Sequence, residues 1–154
     1  MNDDARKYAL KILQKKDYTE KRLRDKLIEK GFSPSAVDDT IMWLKGKGYI
    51  DDRRFAENLV FFKQKKGYGK GRIMKDLFLR GVDEDIAQDA IGRIDFEEEV
   101  KRAERILQKR EKMVKVEQRE VLKKKLSQYL LQRGFNWEVV QEVWKRKEEK
   151  DEIL

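Results

Sequence analysis

The most basic part of the chain, Lys63–Arg80, has the side chains best suited to bind an anionic partner. Only Asp76 is acidic within it, and three glycines interrupt the run of cations. This composition predicts a flexible basic loop leading into the basic start of a helix, which suits phosphates or an acidic protein surface. A solvated connection whose glycines only serve turn geometry is an open alternative. The candidate contact residues here are Lys63, Lys65, Lys66, Lys70, Arg72 and Lys75.

A second group of candidate contact residues lies upstream, on a helix that the spacing of Leu23 and Leu27 predicts. These candidates are Lys21, Arg22 and Arg24. Because Glu20 and Asp25 alternate with them, a solvated helix face explains the same pattern.

Residue types that many enzymes need are absent from the sequence. The chain has no His and no Cys, which removes imidazole bases, thiolate nucleophiles and the metal sites they form. Its acidic clusters, such as Asp51-Asp52 and Asp83–Asp85, stand at predicted helix starts, where carboxylates cap the helix and complement its dipole. The run GYGKGR lacks the Lys-Ser or Lys-Thr ending of a phosphate-binding loop. We therefore expect no catalytic residue, no metal site and no cofactor.

The composition is that of a basic protein about as long as one average domain. The chain has 154 residues, 44% of them charged, and its formal net charge is +8. No apolar run approaches the roughly 20 residues that span a bilayer, and the N-terminal sequence MNDDARKY is unlike a signal peptide. We expect a cytoplasmic protein with no membrane segment.

The same apolar pattern occurs three times along the chain, always at the three- and four-residue spacing of helices. One set recurs at intervals of 47 residues, as Ala9-x-x-Ile12-Leu13, Ala56-x-x-Leu59-Val60 and Ala103-x-x-Ile106-Leu107. A second set recurs at intervals of 50 and then 53 residues and includes Gly31, Gly81 and Gly134. Such self-similarity is typical of tandem helical repeats.

Each copy predicts one helix that stops and another that starts within about three residues. A glycine can adopt the left-handed conformation that ends a helix, and the residue two positions later is an N-cap type: Ser33, Asp83 or Asn136. We therefore predict an all-α fold, an elongated tandem array of three three-helix repeats. The repeats are residues 1–50, 51–94 and 95–154, the last with a charged C-terminal tail. Each repeat should pack mainly on its neighbour, and we expect a monomer.

A specific motif runs through the second repeat. Its parts are Ile50-Asp51-Asp52-Arg53-Arg54-Phe55-Ala56, then Lys66-Gly67-Tyr68-Gly69 and Arg72-Ile73, then Leu77, Arg80, Gly81 and Val82. The first repeat fits the same pattern through Tyr8-Ala9, Leu23, Leu27, Lys30, Gly31 and Phe32, whereas the third fits in length and spacing only. In these features the chain resembles the RecX family of bacterial regulatory proteins, over roughly residues 5–145.

The resemblance implies a modulator, usually an inhibitor, of the recombinase RecA, built from tandem three-helix repeats without catalytic residues. Such proteins lie in the helical groove of the RecA–DNA filament. They suppress its ATP hydrolysis, strand exchange and coprotease activity in recombination, DNA repair and the SOS response. The resemblance does not identify the contact residues. From charge placement, we predict that the nine basic candidates above contact RecA, and that they contact DNA either directly or through the filament.

The alternative is a helical protein that binds single-stranded nucleic acid without specificity and has no protein target. It explains the basic charge and the glycine-interrupted basic segment. It does not explain why the predicted third helices of the first two repeats begin with or contain acids, such as Asp38-Asp39 and Asp83–Asp85. These acids also argue against a helix-turn-helix that reads DNA with its third helix, because they would repel phosphates.

Overall fold

Helices make up about four-fifths of the residues that the structure describes. The computed structural model describes residues 2–115 and 118–153, which form nine α-helices and no strand. In chain order these are α1 (Asn2–Leu13), α2 (Glu20–Lys30), α3 (Pro34–Gly46), α4 (Asp52–Lys65), α5 (Lys70–Leu79), α6 (Glu84–Gly92), α7 (Phe96–Met113), α8 (Arg119–Gln132) and α9 (Trp137–Ile153). The predicted all-α class and the three helices of each repeat are confirmed.

The predicted helix stops and restarts are present in all three repeats. The three glycines have φ angles of +102°, +80° and +96°, which is the left-handed conformation that ends a helix; they are Gly31, Gly81 and Gly134. Ser33 Oγ and Asn136 Oδ1 each accept the backbone N–H three residues later, at 3.2 and 3.0 Å. Asp83 stands immediately before α6. These short-range contacts explain why the helix ends could be predicted from the sequence.

The chain divides into two compact units, and unit 1 consists of the chain up to Leu59 together with Asp76–Ala90. Its core is formed by the apolar faces of α1, α2 and α3. The buried side chains of this core are Ala5, Ala9, Leu23, Leu27, Val37, Ile41, Leu44 and Ile50. Most of them occupy the three- and four-residue spacing seen in the sequence, so helical periodicity predicted the buried faces.

Unit 2 consists of Val60–Lys75 and the chain from Ile91 onward. Its core lies among α7, α8 and α9 and is formed by Val100, Ala103, Leu107, Leu126, Leu130, Phe135, Val139, Val140 and Val143. Helix α9 continues through most of the charged C-terminal tail, and a 2.8 Å ion pair between Lys123 and Glu148 joins it to α8. Leu154, the last residue of that tail, lies outside the described residues.

The second repeat is shared between the two units. The first part of α4 belongs to unit 1 and the rest, from Val60, to unit 2. Helix α5 does the reverse, because its residues up to Lys75 belong to unit 2 and the following ones to unit 1. The repeats therefore describe similarity within the sequence, whereas the compact units follow packing between neighbouring repeats. The repeat borders at 1–50, 51–94 and 95–154 stay a prediction.

In unit 2 the backbone at the start of α5 touches the turn that ends α8. The Gly69 N–H donates to the Arg133 carbonyl and the Gly71 N–H to the Gly134 carbonyl, both at 2.9 Å. A Cβ atom on Gly69 would lie only 2.6 Å from Phe135 N, a separation that real Cβ atoms essentially never show. Glycine is therefore needed at this position because two backbones meet there.

Replacing Gly69 by Ala should lower the free energy of unfolding by about 1–3 kcal/mol, the usual cost of forcing an extra carbon into a packed contact. Gly92→Ala is the matched control, because a Cβ at the end of α6 meets no atom within 4 Å. That substitution should be neutral or stabilise by up to about 1 kcal/mol, since alanine restricts the unfolded chain. Urea unfolding followed by circular dichroism measures both variants. Equal stabilities would contradict the close backbone contact.

Candidate partner-contact surface

A buried carboxylate holds the start of the basic helix α5. Glu99, on α7, has 0% exposed surface, and its Oε1 accepts the Lys70 backbone N–H at 3.0 Å. The first N–H groups of a helix have no partner inside the helix, and a carboxylate there also complements the helix dipole. Burial raises the pKa of Glu99, and the hydrogen bond from Lys70 opposes that rise. Its Oε2 is buried and has no hydrogen-bond partner among the described residues, so the ionised form is poorly compensated.

The same contact occurs in unit 1, at equivalent positions one repeat earlier. Asp52 Oδ1, at the start of α4, accepts the Glu20 backbone N–H at 3.0 Å, where α2 begins. Asp52 and Glu99 are 47 residues apart, and Glu20 and Lys70 are 50 apart, which are the intervals of the sequence repeat. Burial also raises the pKa of Asp52, against the hydrogen bond from Glu20. In both units, therefore, the first helix of one repeat caps the second helix of the repeat before it.

Arg133 holds the turn between α4 and α5. Its guanidinium lies over the Tyr68 ring, 4.4 Å from the ring centroid. It also donates to the Gly67 carbonyl at 2.9 Å and to the Lys66 carbonyl. Only a four-residue turn remains between the two helices. The predicted flexible basic loop is therefore wrong, because hydrogen bonds and a cation–π contact fix this short turn.

The six basic candidates of this segment all lie in unit 2 and form two groups. The three that are exposed are Lys65, Lys66 and Lys75. The other three are half-buried. Among them, the charged groups of Lys63 and Arg72 lie over the Tyr68 ring, at 5.2 and 4.8 Å from its centroid, and Lys70 begins α5. Exposed lysines on a fixed turn and helix present positive charge to phosphates or carboxylates without first having to be ordered.

The three basic candidates of α2 make contacts inside unit 1. The aliphatic stem of Lys21 packs against Gly81, and Arg22 donates to the carbonyl of Leu79 at 2.9 Å. The carboxylate of Asp38 binds the guanidinium of Arg24 at 2.6 Å, and this hydrogen bond raises the pKa of Arg24. These contacts give the three side chains a part in packing and ion pairing. A contact between them and a partner stays a prediction.

Sequence analysis missed two residues on which this surface depends, Glu99 and Arg133. Glu99 is one of three consecutive acids in the first turn of α7, and nothing local distinguishes it from its neighbours. The repeat intervals hold a signal, because Glu99 corresponds to Asp52 and Arg133 corresponds to Arg80. Only the packing of α7 and α8 on the start of α5 reveals what those positions do.

The described residues hold neither a metal-binding cluster nor a membrane helix. No group of three or more acidic side chains is placed to hold a metal ion among the side chains that the structure describes, which are those of residues 3–115 and 118–151. In the same ranges, no helix is long and apolar enough to cross a membrane. The feature of this surface that a partner could recognise is its positive charge, carried by the exposed Lys65, Lys66 and Lys75.

The helices, their junctions and the basic surface define an all-α protein of tandem three-helix repeats. Three family models match it in chain order: the first three-helix domain of RecX at residues 5–44, the second at 51–91 and the third at 97–144. The chain belongs to the RecX family of regulatory proteins.

Relatives and solved structures agree with this assignment. A regulatory protein RecX from Haemophilus influenzae is 36% identical over 138 residues, which cover 88% of this chain and 89% of the relative. One from Clostridium perfringens is 33% identical over 141 residues, which cover 90% of this chain and 66% of that relative. The crystal structure of RecX from Lactobacillus salivarius has the same fold, with a TM-score of 0.84 at 22% identity, covering 94% of this chain and 95% of that one.

Replacing Glu99 by Gln should stabilise the protein by an amount that grows with pH. Burial raises the pKa of Glu99 in the folded state, so the folded state binds this proton more tightly than the unfolded state does. The free energy of unfolding of the unmodified protein therefore falls as pH rises from the ordinary glutamate pKa through the raised one. Gln keeps an acceptor for the Lys70 N–H but carries no charge. The gain should reach the order of 1 kcal/mol near neutral pH.

Urea unfolding of both proteins between about pH 4 and pH 8 measures this difference. Glu98→Gln is the matched control, because Glu98 is the preceding residue on α7 and its side chain is 68% exposed. The control should show no increase in stability with pH. A Glu99→Gln effect that is constant, or that shrinks as pH rises, would contradict a buried and poorly compensated carboxylate.

Proposed function

We propose that this protein binds the RecA–DNA filament and modulates it, mostly by inhibiting ATP hydrolysis, strand exchange and coprotease activity. The observation that carries this proposal is the match to all three RecX domains in order along the chain. The relatives from two bacterial species that carry the name regulatory protein RecX align with about nine-tenths of it. RecA is inferred as the partner from the family resemblance, which is most specific in the second repeat, from Ile50 to Val82.

The charge of the molecule supports a partner that contains nucleic acid. With a net charge of +8, the chain is drawn toward a filament that carries DNA, at a rate that falls as salt rises. The exposed Lys65, Lys66 and Lys75 lie on α4, on the turn held by Arg133 and on α5. Little backbone freedom would be lost when such a surface binds, because hydrogen bonds already fix the turn.

The proposed inhibition requires only that the protein occupies a binding site on the filament, and it requires no catalytic step. Tandem repeats offer several contact surfaces on one chain, and linked weak contacts raise the overall affinity. A monomer in the cytoplasm would suffice to bridge successive filament subunits. The competing function, non-specific binding of single-stranded nucleic acid, is favoured by the same cations, so the test has to separate the two.

The test is RecA ATP hydrolysis on single-stranded DNA, measured with substoichiometric amounts of this protein. We expect inhibition, because one bound molecule can affect several filament subunits. Binding of the protein alone to a labelled single strand is measured in the same buffer. Inhibition without comparable DNA binding supports the proposal. No inhibition at a several-fold excess overturns it, and inhibition only at concentrations that coat the DNA supports the alternative.

Variants then test the basic surface. Lys65→Ala, Lys66→Ala and Lys75→Ala together should weaken inhibition by about tenfold or more, since each lost charge-assisted contact is worth roughly 1 kcal/mol. The matched control removes the same charge from three exposed lysines of unit 1: Lys7, Lys11 and Lys47. Equal losses in the two variants would mean that net charge alone, rather than this surface, carries binding.

A further inference from the structure

A pocket of about 400 Å³ opens in unit 2 between the end of α4 and the middle of α7. Four cations line it: Lys65, Arg102, Arg105 and Lys109. Three of them come from α7 at a spacing of three and four residues, which puts them on one face of that helix. None of the eight residues that line the pocket in the described part of the chain is acidic. So much positive charge around one concavity selects for an anionic ligand.

Arg102 is the least exposed of these four cations, and part of its guanidinium is buried. Its Nε and one of its terminal nitrogens are buried and have no hydrogen-bond partner among the described residues. Its other terminal nitrogen is 3.9 Å from the exposed carboxylate of Glu98, beyond hydrogen-bond distance. A buried guanidinium with unused donors carries a free-energy cost. The carboxylates of Glu98 and Glu99 already lie near this group. A carboxylate in the pocket would add a further counter-charge beside the part of the side chain that lines it, in the planar geometry that guanidinium groups match best.

The pocket also has an apolar part, formed by Phe61 and Ile106. Phe61 and its neighbour Phe62 are 53% and 59% exposed, and their rings pack edge to face with centroids 5.6 Å apart. Exposed aromatic side chains beside arginines are the composition of protein–protein interfaces. This apolar part can bury an apolar side chain of a partner.

The same aromatic ring is poorly placed to stack on a nucleic-acid base. The ammonium of Lys65 lies over the Phe61 ring, 4.4 Å from its centroid, and Phe62 packs against that ring. A base needs an open aromatic face to stack on, whereas an apolar side chain can pack against whatever part of the 53% exposed Phe61 remains open. The geometry therefore favours a polypeptide over a single strand of nucleic acid.

We propose that this pocket binds an acidic segment of a protein partner. An apolar side chain of the segment rests on Phe61 and Ile106, and flanking carboxylates pair with Arg102, Arg105 and Lys109. This inference rests on the proposed function, since it names the chemistry by which the chain would hold a protein in the filament. Apart from Lys65, its cations lie outside the nine basic candidates.

The test uses the full-length protein and three fluorescent probes. One is an acidic peptide of about nine Asp and Glu residues with a central Phe, the second has Ala in place of that Phe, and the third is a thymidine oligonucleotide of similar charge. The pocket variant is Arg105→Gln with Lys109→Gln, both exposed positions. The matched control, Lys101→Gln with Lys112→Gln, removes two exposed cations from the same helix. Thermal unfolding verifies that both variants fold.

Fluorescence anisotropy should show that the Phe peptide binds more tightly than the Ala peptide. The pocket variant should weaken Phe-peptide binding by about tenfold, since two charge-assisted contacts are lost. The control should change binding by less than about twofold, as exposed charges usually do. The proposal is overturned if the two variants weaken binding equally, if the Ala peptide binds as well as the Phe peptide, or if the oligonucleotide loses more affinity than the peptide.

RecA ATP hydrolysis with the unmodified protein keeps the two proposals separate. Inhibition together with a failed peptide result overturns the pocket and leaves the proposed function standing. A positive peptide result without inhibition of ATP hydrolysis supports the pocket and overturns the proposed function.

Discussion

Two carboxylates, the half-buried Asp52 and the buried Glu99, make the contact on which the rest of the structure depends. Each lies on the first helix of a repeat and accepts the backbone N–H that begins the second helix of the repeat before it. In unit 1, a second hydrogen bond joins the first and second repeats: the Thr19 hydroxyl donates to the Arg80 carbonyl at 2.6 Å. A helix start that finds its acceptor on the next repeat cannot be completed within its own repeat. Neighbouring repeats therefore share their helix caps, and the second repeat divides between two compact units.

This shared cap also decides what the basic segment can do. Glycines at 69 and 71 let the start of α5 approach the end of α8, and Arg133 closes over Tyr68 beside them. Some of the cations hold this junction, while Lys65, Lys66 and Lys75 face solvent. A run of like charges on a free loop would be screened and mobile, and ordering it would reduce affinity. On a fixed turn, the same charges form a surface of defined shape that a large charged partner can match.

Two kinds of feature could be predicted from the sequence. The helices and their ends depend on spacing and caps within a few residues, and the predictions at Ser33, Asn136 and the three glycines were right for that reason. The three repeats and the family could be recognised because the pattern recurs over long, regular intervals. The flexible loop was predicted wrongly, since glycine next to lysine looks the same in a mobile segment as in a close contact between two backbones.

The sequence by itself determined the helices, the repeats and the family, because each of these depends on the spacing of nearby residues or on a sequence motif. Only the tertiary structure decided which charges are available. Lys65 and Lys70 are alike in the sequence, yet Lys65 lies over an exposed ring at the edge of a pocket and the backbone of Lys70 is bound to a buried carboxylate. That difference arises because residues of α7, about thirty to forty positions further along the chain, pack against this segment. Burial and pairing are set by such distant neighbours, which local patterns do not encode.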